Sequence, residues 1–278
     1  MPTPAEIDLP REMPWATSTF VVLSIVVQLG AGFSLSLGGR LFTRPGTAML
    51  LALEAPGFIA LILAATEHGF GGIKRLLSPA LIWRVPIRWY LAAIAMPTLV
   101  GLAAVELSSI QSYVLGESVP LLRPLWVFWY SYTSLRFALF ESWLMFPLMI
   151  GWCGYALPRL QETHGALTSA LILGACFVIM TQAASLIGLP SGFIQTMWVV
   201  PCLIGSAVWL TWLYNNTNGS LLLATLMATI LNANIVLLYF SRGRGLEIAS
   251  IAIVLVAIVL IARFGWKSLS PNDTRVRW

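Results

Sequence analysis

Eight stretches of about twenty mostly apolar residues fill this chain, and no other feature limits its fold so strongly. They run Thr17–Gly39, Gly46–Ala65, Trp89–Ile110, Leu125–Ile150, Leu167–Leu189, Phe193–Tyr214, Ser220–Phe240 and Leu246–Phe264. Lipid offers no partner to an unpaired backbone amide, so a segment that crosses it must satisfy its own hydrogen bonds, as a helix does. The breaks carry turn residues: Thr43-Arg44-Pro45-Gly46, Gly69-Phe70-Gly71-Gly72, Arg123-Pro124, Leu189-Pro190-Ser191-Gly192, Asn215 to Gly219 and Ser241 to Arg244. The expected fold class is all-α, a polytopic transmembrane helix bundle of about eight spans. Residues 17–264 form a single membrane domain, between an N-terminal cytoplasmic tail at 1–16 and a C-terminal basic tail at 265–278. No internal repeat and no long linker divides it.

Composition agrees with this reading and closes other routes. Of 278 residues 58% are hydrophobic and 10% charged, with a mean hydropathy of +0.85, where soluble domains carry roughly 25% charge. Three cysteines and two histidines, His68 and His164, cannot build a disulfide framework or a zinc ribbon. No nucleic acid is expected as a partner, because its recognition needs cations clustered on a solvated face. The expected partner is the lipid bilayer.

The net charge of +5 is therefore read by position. With both termini in the cytoplasm, that side receives Arg11, Lys74, Arg75, Arg84, Arg88, Arg159, Arg263, Lys267, Arg275 and Arg277. The far side receives Arg40, Arg44, Arg123, Arg242 and Arg244. This imbalance favours a multi-pass protein of the cell membrane with N- and C-termini inside. The first span has no positive leader before it, so it reads as a retained helix and not a signal peptide. Gly71–Arg88 mixes cations with Leu, Ile and Trp, which suits either an interfacial segment on the cytoplasmic leaflet or an ordinary basic loop.

Charged groups inside apolar spans cost about 2.5 kcal/mol or more and need partners or water. Glu54, Glu106, Arg136 and Glu141 fall in this class. They are candidate polar-cavity residues; alternatively Arg136 forms a buried structural ion pair with Glu54 or Glu106. Neutral polar groups late in the chain, among them Thr181, Gln182, Ser185, Asn232 and Asn234, are expected to hydrogen-bond between helices.

One run of residues carries a resemblance. Residues 151–161 read GWCGYALPRLQ, followed by GALTSALILGACFVIMT and later WLYNNTNGSLLLATLMATILNAN. This resembles the CPBP family of intramembrane metalloproteases, which holds the CAAX prenyl proteases and the bacteriocin-processing Abi proteins. That family's core reads E-E-[IL]-G-W-R-G-[YF]-L-L-P-R-L, then F-x-x-x-H, then S-L-L-x-x-[IL]-x-x-H-x-x-x-N. LLALEAPGFIALILAA and IWRVPIRWYLAAIAMP look like the family's second helix and the basic loop with third helix. The resemblance implies a CAAX-protease-like fold, with its core at about 125–240.

Carried over residue by residue, the motif is largely emptied of its chemistry. Its paired glutamates fall on Leu148 and Met149, its arginine on Cys153, and its two histidines on Thr181 and Ala228. Only the aromatic, Phe177, and the asparagine, Asn232, are retained. A catalytic zinc takes three N, O or S ligands with a general base beside its water. Leu148, Met149 and Ala228 supply neither, so no cofactor is expected, and zinc only if a site has been rebuilt around other residues, for instance Glu141. No residue is assigned a catalytic role and none a metal-binding role.

The leading expectation is a pseudoenzyme: a non-catalytic homologue that binds or regulates a membrane-protein partner, or a lipidated or transmembrane peptide. Trp126, Trp129, Trp143 and Trp152 would be contacts, or simply packing and aromatic belt. The alternatives are an active intramembrane endopeptidase with a rearranged site, and a transporter component using Glu54, Glu106 and Arg136.

Overall fold

The computed structural model describes residues 14–36, 45–114, 145–186, 193–240, 244–271 and 275–276. Among these the protein is all helical. We number α1 Pro14–Ser36, α2 Pro45–Leu77 and α3 Ile87–Val114, with a 3-10 turn at Ser78–Leu81 between the last two. Helix α4 covers 145–163 and contains a π-helical segment, Ile150–Ala156, followed by the α-helical turns Leu157–Thr163. Then come α5 Ala166–Leu186, α6 Phe193–Asn216, α7 Leu221–Phe240 and α8 Gly245–Phe264. Seven of these described helices fall on the apolar stretches that predict them, while α4 shares only residues 145–150 with the fourth stretch, the rest of which lies outside the described residues.

Three of them are long and apolar enough to cross a membrane over their described residues: Ile87–Gln111, Met197–Asn216 and Gly245–Phe264. Trp15–Gly30, Ala166–Thr181 and Leu221–Val236 are shorter apolar helices. Large apolar side chains stand outward along α3 and α8, among them Leu91, Leu99, Leu107, Leu255 and Val259. In water such faces carry a hydrophobic penalty, whereas hydrocarbon removes it.

One helix boundary agrees with the sequence reading and another corrects it. The second span, expected to end at Ala65 before a break at Gly69–Gly72, does break at His68 and Gly69, where Gly69 takes φ of +59°, and a second helical piece then runs on to Leu77. Glycine adopts this left-handed conformation without a Cβ penalty, so the chain bends and resumes its helix. The fourth was expected to end at Ile150, but helical structure continues through Thr163. Hydropathy loses that stretch because Gly, Pro and Arg dilute it.

Helices α2 and α4 cross at backbone contact. A Cβ on Gly57 would lie 2.6 Å from the Pro147 carbonyl oxygen, and one on Gly151 would lie 2.6 Å from that of Pro56. Small residues at a crossing let two backbones approach, which is how helices associate where no hydrophobic drive separates them from lipid. Helix α5 packs between α1 and α6, α6 against α7 and α8, and α3 against α7 and α8. Polar groups tie these layers: the Asn234 amide donates to Pro97 O at 2.7 Å, Ser250 Oγ to Trp198 O at 2.6 Å, and Trp209 Nε1 to Ile253 O at 3.1 Å. Asn234 thus makes the interhelical bond expected of it.

The tail after α8 folds back onto the bundle. Ala166 N donates to Lys267 O and Leu167 N to Trp266 O, at 2.8 and 3.1 Å. The Asn215 amide donates to Gln161 Oε1 at 2.7 Å and to Ser268 O at 2.8 Å, and Asn216 donates to Leu269 O at 2.8 Å. The asparagine run that reads as a turn in sequence is therefore also the clamp that seats the C-terminal segment.

Candidate functional site

The π-helical segment Ile150–Ala156 forms the middle of the bundle, and all seven of its residues are buried. Its Trp152 meets Phe20 of α1 edge-on at 5.1 Å between centroids and Phe177 of α5 at 5.7 Å. Tyr155 also touches Phe20, at 5.3 Å. Gly154 faces Leu76 of α2 and Leu221 of α7, where a Cβ would meet methyl carbons at 3.3–3.4 Å. A π turn places an extra residue in the coil and is found mostly where a helix is bent to a purpose. Here it gathers α1, α2, α5 and α7 around one segment.

The residues singled out from sequence fall on this core unevenly. Leu148, Met149 and Cys153 are all buried, and the Cys153 thiol lies 3.8 Å from the Met149 sulfur. Phe177 is half-buried against Trp152. Ala228 is buried on α7 within the same apolar core, while Asn232, one turn further, is half-buried and makes a polar contact. Thr181 is exposed. The structure thus brings the Met149 and Cys153 sulfurs together and packs Phe177 against Trp152, but turns Thr181 outward.

Among the polar-cavity candidates, Glu54 on α2 and Glu106 on α3 are half-buried, and neither takes part in an ion pair among the described residues. Arg136 and Glu141 lie outside the described residues, as do Trp126, Trp129 and Trp143. The side chains of Gln182 and Ser185 are likewise outside them.

The strongest polar constellation went unread in the sequence. Glu67, on the last helical turn before the break in α2, accepts a hydrogen bond from Arg159 Nη2 at 2.7 Å and from the Tyr155 hydroxyl at 3.2 Å. The two charged side chains are 2% and 3% exposed. Arg159 Nη1 donates to Tyr155 O at 3.2 Å, and the guanidinium sits 3.6 Å from the centre of the Tyr155 ring. Arg159 had been assigned to a cytoplasmic loop; it is instead buried in α4, where the pairing with Glu67 neutralises it. The second oxygen of Glu67 and Nδ1 of the neighbouring His68 are buried without a hydrogen-bond partner. The available signal was the Pro-Arg-Leu run at 158–160, which places an arginine directly after a buried apolar stretch.

His68 sits at the break in α2. His164 caps the end of α4, exposed, with Nδ1 2.7 Å from Thr163 Oγ1. Among the described residues no three His, Cys, Asp or Glu side chains form a group able to hold a metal ion. The residues at the motif positions do not fit zinc on chemical grounds. Leu148 and Ala228 carry no donor atom, Met149 offers only a thioether, and Thr181 is exposed, which leaves Cys153 short of the three ligands a catalytic zinc takes.

In comparisons with known proteins, no family model matches the chain and no curated protein matches it in sequence.

Proposed function

We propose that the chain is a multi-pass membrane protein with a CPBP-like, CAAX-protease-like fold that does not cleave, and that it binds or regulates a membrane partner or a lipidated or transmembrane peptide. One observation carries this reading: the segment that resembles the family's first motif is buried in the chain's own apolar core, with the Met149 and Cys153 sulfurs 3.8 Å apart and Trp152 against Phe177. A hydrolytic site needs a base, an electrophile and a water in mutual reach. Side chains this apolar supply no base, and the faces left to meet a membrane partner are the exposed apolar ones of α3 and α8. Both termini face the cytoplasm in this proposal, supported by the position of the cations.

The test is a paired assay on the full chain in detergent. A fluorescent farnesylated peptide and its unmodified twin are titrated by anisotropy, and the same mixtures are checked for cleavage with and without added zinc. The expected result is binding of the farnesylated form alone, with no product. Zinc-dependent cleavage that disappears in Glu141→Ala would establish a rearranged active site instead. Equal, negligible affinity for both peptides would remove the lipidated-ligand reading. Reporter fusions at the two termini check the orientation.

A further inference from the structure

We infer that the elbow joining α2 to α3, residues 70–88, is a binding surface for anionic phospholipid headgroups. The inference rests on the membrane reading but not on the absence of catalysis. From Gly69 to Val105 the chain has four cations, Lys74, Arg75, Arg84 and Arg88, and no acid. All four are exposed, and Lys74 and Arg75 occupy the last turn of α2, where the helix carbonyls add negative potential beneath them and favour cations.

The elbow is braced. Ser220 Oγ donates to Ile82 O at 2.6 Å, and the Tyr90 hydroxyl to Trp83 O at 2.7 Å. Tight turns close Trp83 N onto Leu81 O at 3.0 Å and Val85 N onto Trp83 O at 2.9 Å. On this frame the Arg84 guanidinium lies 5.1 Å from the Trp83 ring and that of Arg88 5.3 Å from the Trp89 ring. A guanidinium held against an indole face keeps its N–H fork available for a phosphate.

Apolar side chains interleave with the cations: Phe70 is 82%, Leu81 79% and Ile87 72% exposed. A free phosphate has no use for them, whereas a bilayer surface buries them beside its headgroups. The same end of the bundle carries exposed Trp266 with Lys267 5.7 Å from its ring. At the opposite end Arg244 is spent in a two-pronged pair with Glu247. Among the described residues, charge complementarity therefore selects this end and one occupant, an anionic leaflet.

The experiment places the full chain in nanodiscs of equimolar phosphatidylcholine and phosphatidylglycerol and counts retained lipids by native mass spectrometry. Phosphatidylglycerol should be retained several-fold over phosphatidylcholine. At low salt the preference should fall for each of K74Q, R84Q and R88Q, by up to about fivefold, the effect of one cation near an anionic surface, should be lost in the triple variant, and should be unchanged in R244Q. Inorganic phosphate at matched ionic strength should displace nothing. Because the three side chains are exposed, unchanged melting temperatures confirm that the variants fold. Equal retention of the two lipids, a preserved preference in the triple variant, or displacement by phosphate would each overturn this inference alone. Release of the chain from native membranes by alkaline carbonate would overturn the membrane reading together with it.

Discussion

Replacing Glu67 by Gln should be the most damaging isosteric change in this molecule. The carboxylate is 2% exposed and receives the Arg159 guanidinium at 2.7 Å and the Tyr155 hydroxyl at 3.2 Å. Glutamine keeps the volume and an acceptor oxygen but leaves the Arg159 charge without a counter-ion in a buried setting. Breaking a buried pair in this way costs about 3–5 kcal/mol. With an unfolding entropy of about 2.1 cal/mol/K per residue over 278 residues, that corresponds to a Tm lower by about 5–9 °C. The three buried free cysteines provide the assay, since a thiol-reactive dye fluoresces only once they are uncovered. Replacing both members of the pair by methionine should recover most of the loss, because an apolar pair carries no desolvation cost. The double-mutant cycle then gives a coupling of several kcal/mol. A Glu67→Gln shift under 1 °C would refute the argument, showing that water reaches Arg159 and that α2 and α4 do not depend on the pair.

Other consequences are equally direct. Gly151→Ala places a methyl 2.6 Å from the Pro56 carbonyl and should lower stability by about 1–3 kcal/mol, whereas Gly154→Ala meets only leucine methyls at 3.3 Å or more and should cost much less, both read by the same thiol melt. Asn215→Ala removes bonds to Gln161 Oε1 and Ser268 O and the acceptor for Val276 N, so the tail after Phe264 should become sensitive to limited proteolysis, with about 2–3 kcal/mol lost. Cys153, Cys176 and Cys202 should resist maleimide in the folded protein and react together on unfolding, as followed by intact mass; fast labelling of Cys153 alone would show an open route to the π-helical segment.

The helices were legible because their signal is averaged over some twenty residues, and a bundle in lipid has no other way to satisfy its backbone. What was missed was set by single contacts. Hydropathy ended the second span at Ala65 because Glu67 and His68 look like loop residues, yet Glu67 is buried once Arg159 from 92 positions along the chain arrives beside it. A positive-inside count takes Arg159 as a free cation because position alone does not show that Glu67 buries and neutralises it. The break at Gly69 was legible in the glycines at 69–72, while the helical piece that follows it to Leu77 was not. At the motif positions the chemistry was readable, because Leu148, Met149 and Ala228 are apolar wherever they lie. The outward turn of Thr181 and the sulfur contact of Cys153 with Met149 required coordinates.

The apolar motif positions and the close α2–α4 crossing are two sides of one constraint. A carboxylate at position 148 or 149 would have to keep water or a cation beside it, since an isolated charge at such depth costs about 2.5–3.5 kcal/mol or more. Room for that water means separating α4 from its neighbours, but Gly57 and Gly151 hold α2 against α4 with the backbones in contact. Met149 at 2% exposure fills the space that remains. Among the described residues, the buried ion pair sits away from this crossing, where the break in α2 lets Glu67 reach Arg159 and Tyr155 and both charges leave water together. In the non-catalytic reading, the apolar side chains at 148 and 149 are the kind that a crossing this close accommodates without a solvated charge.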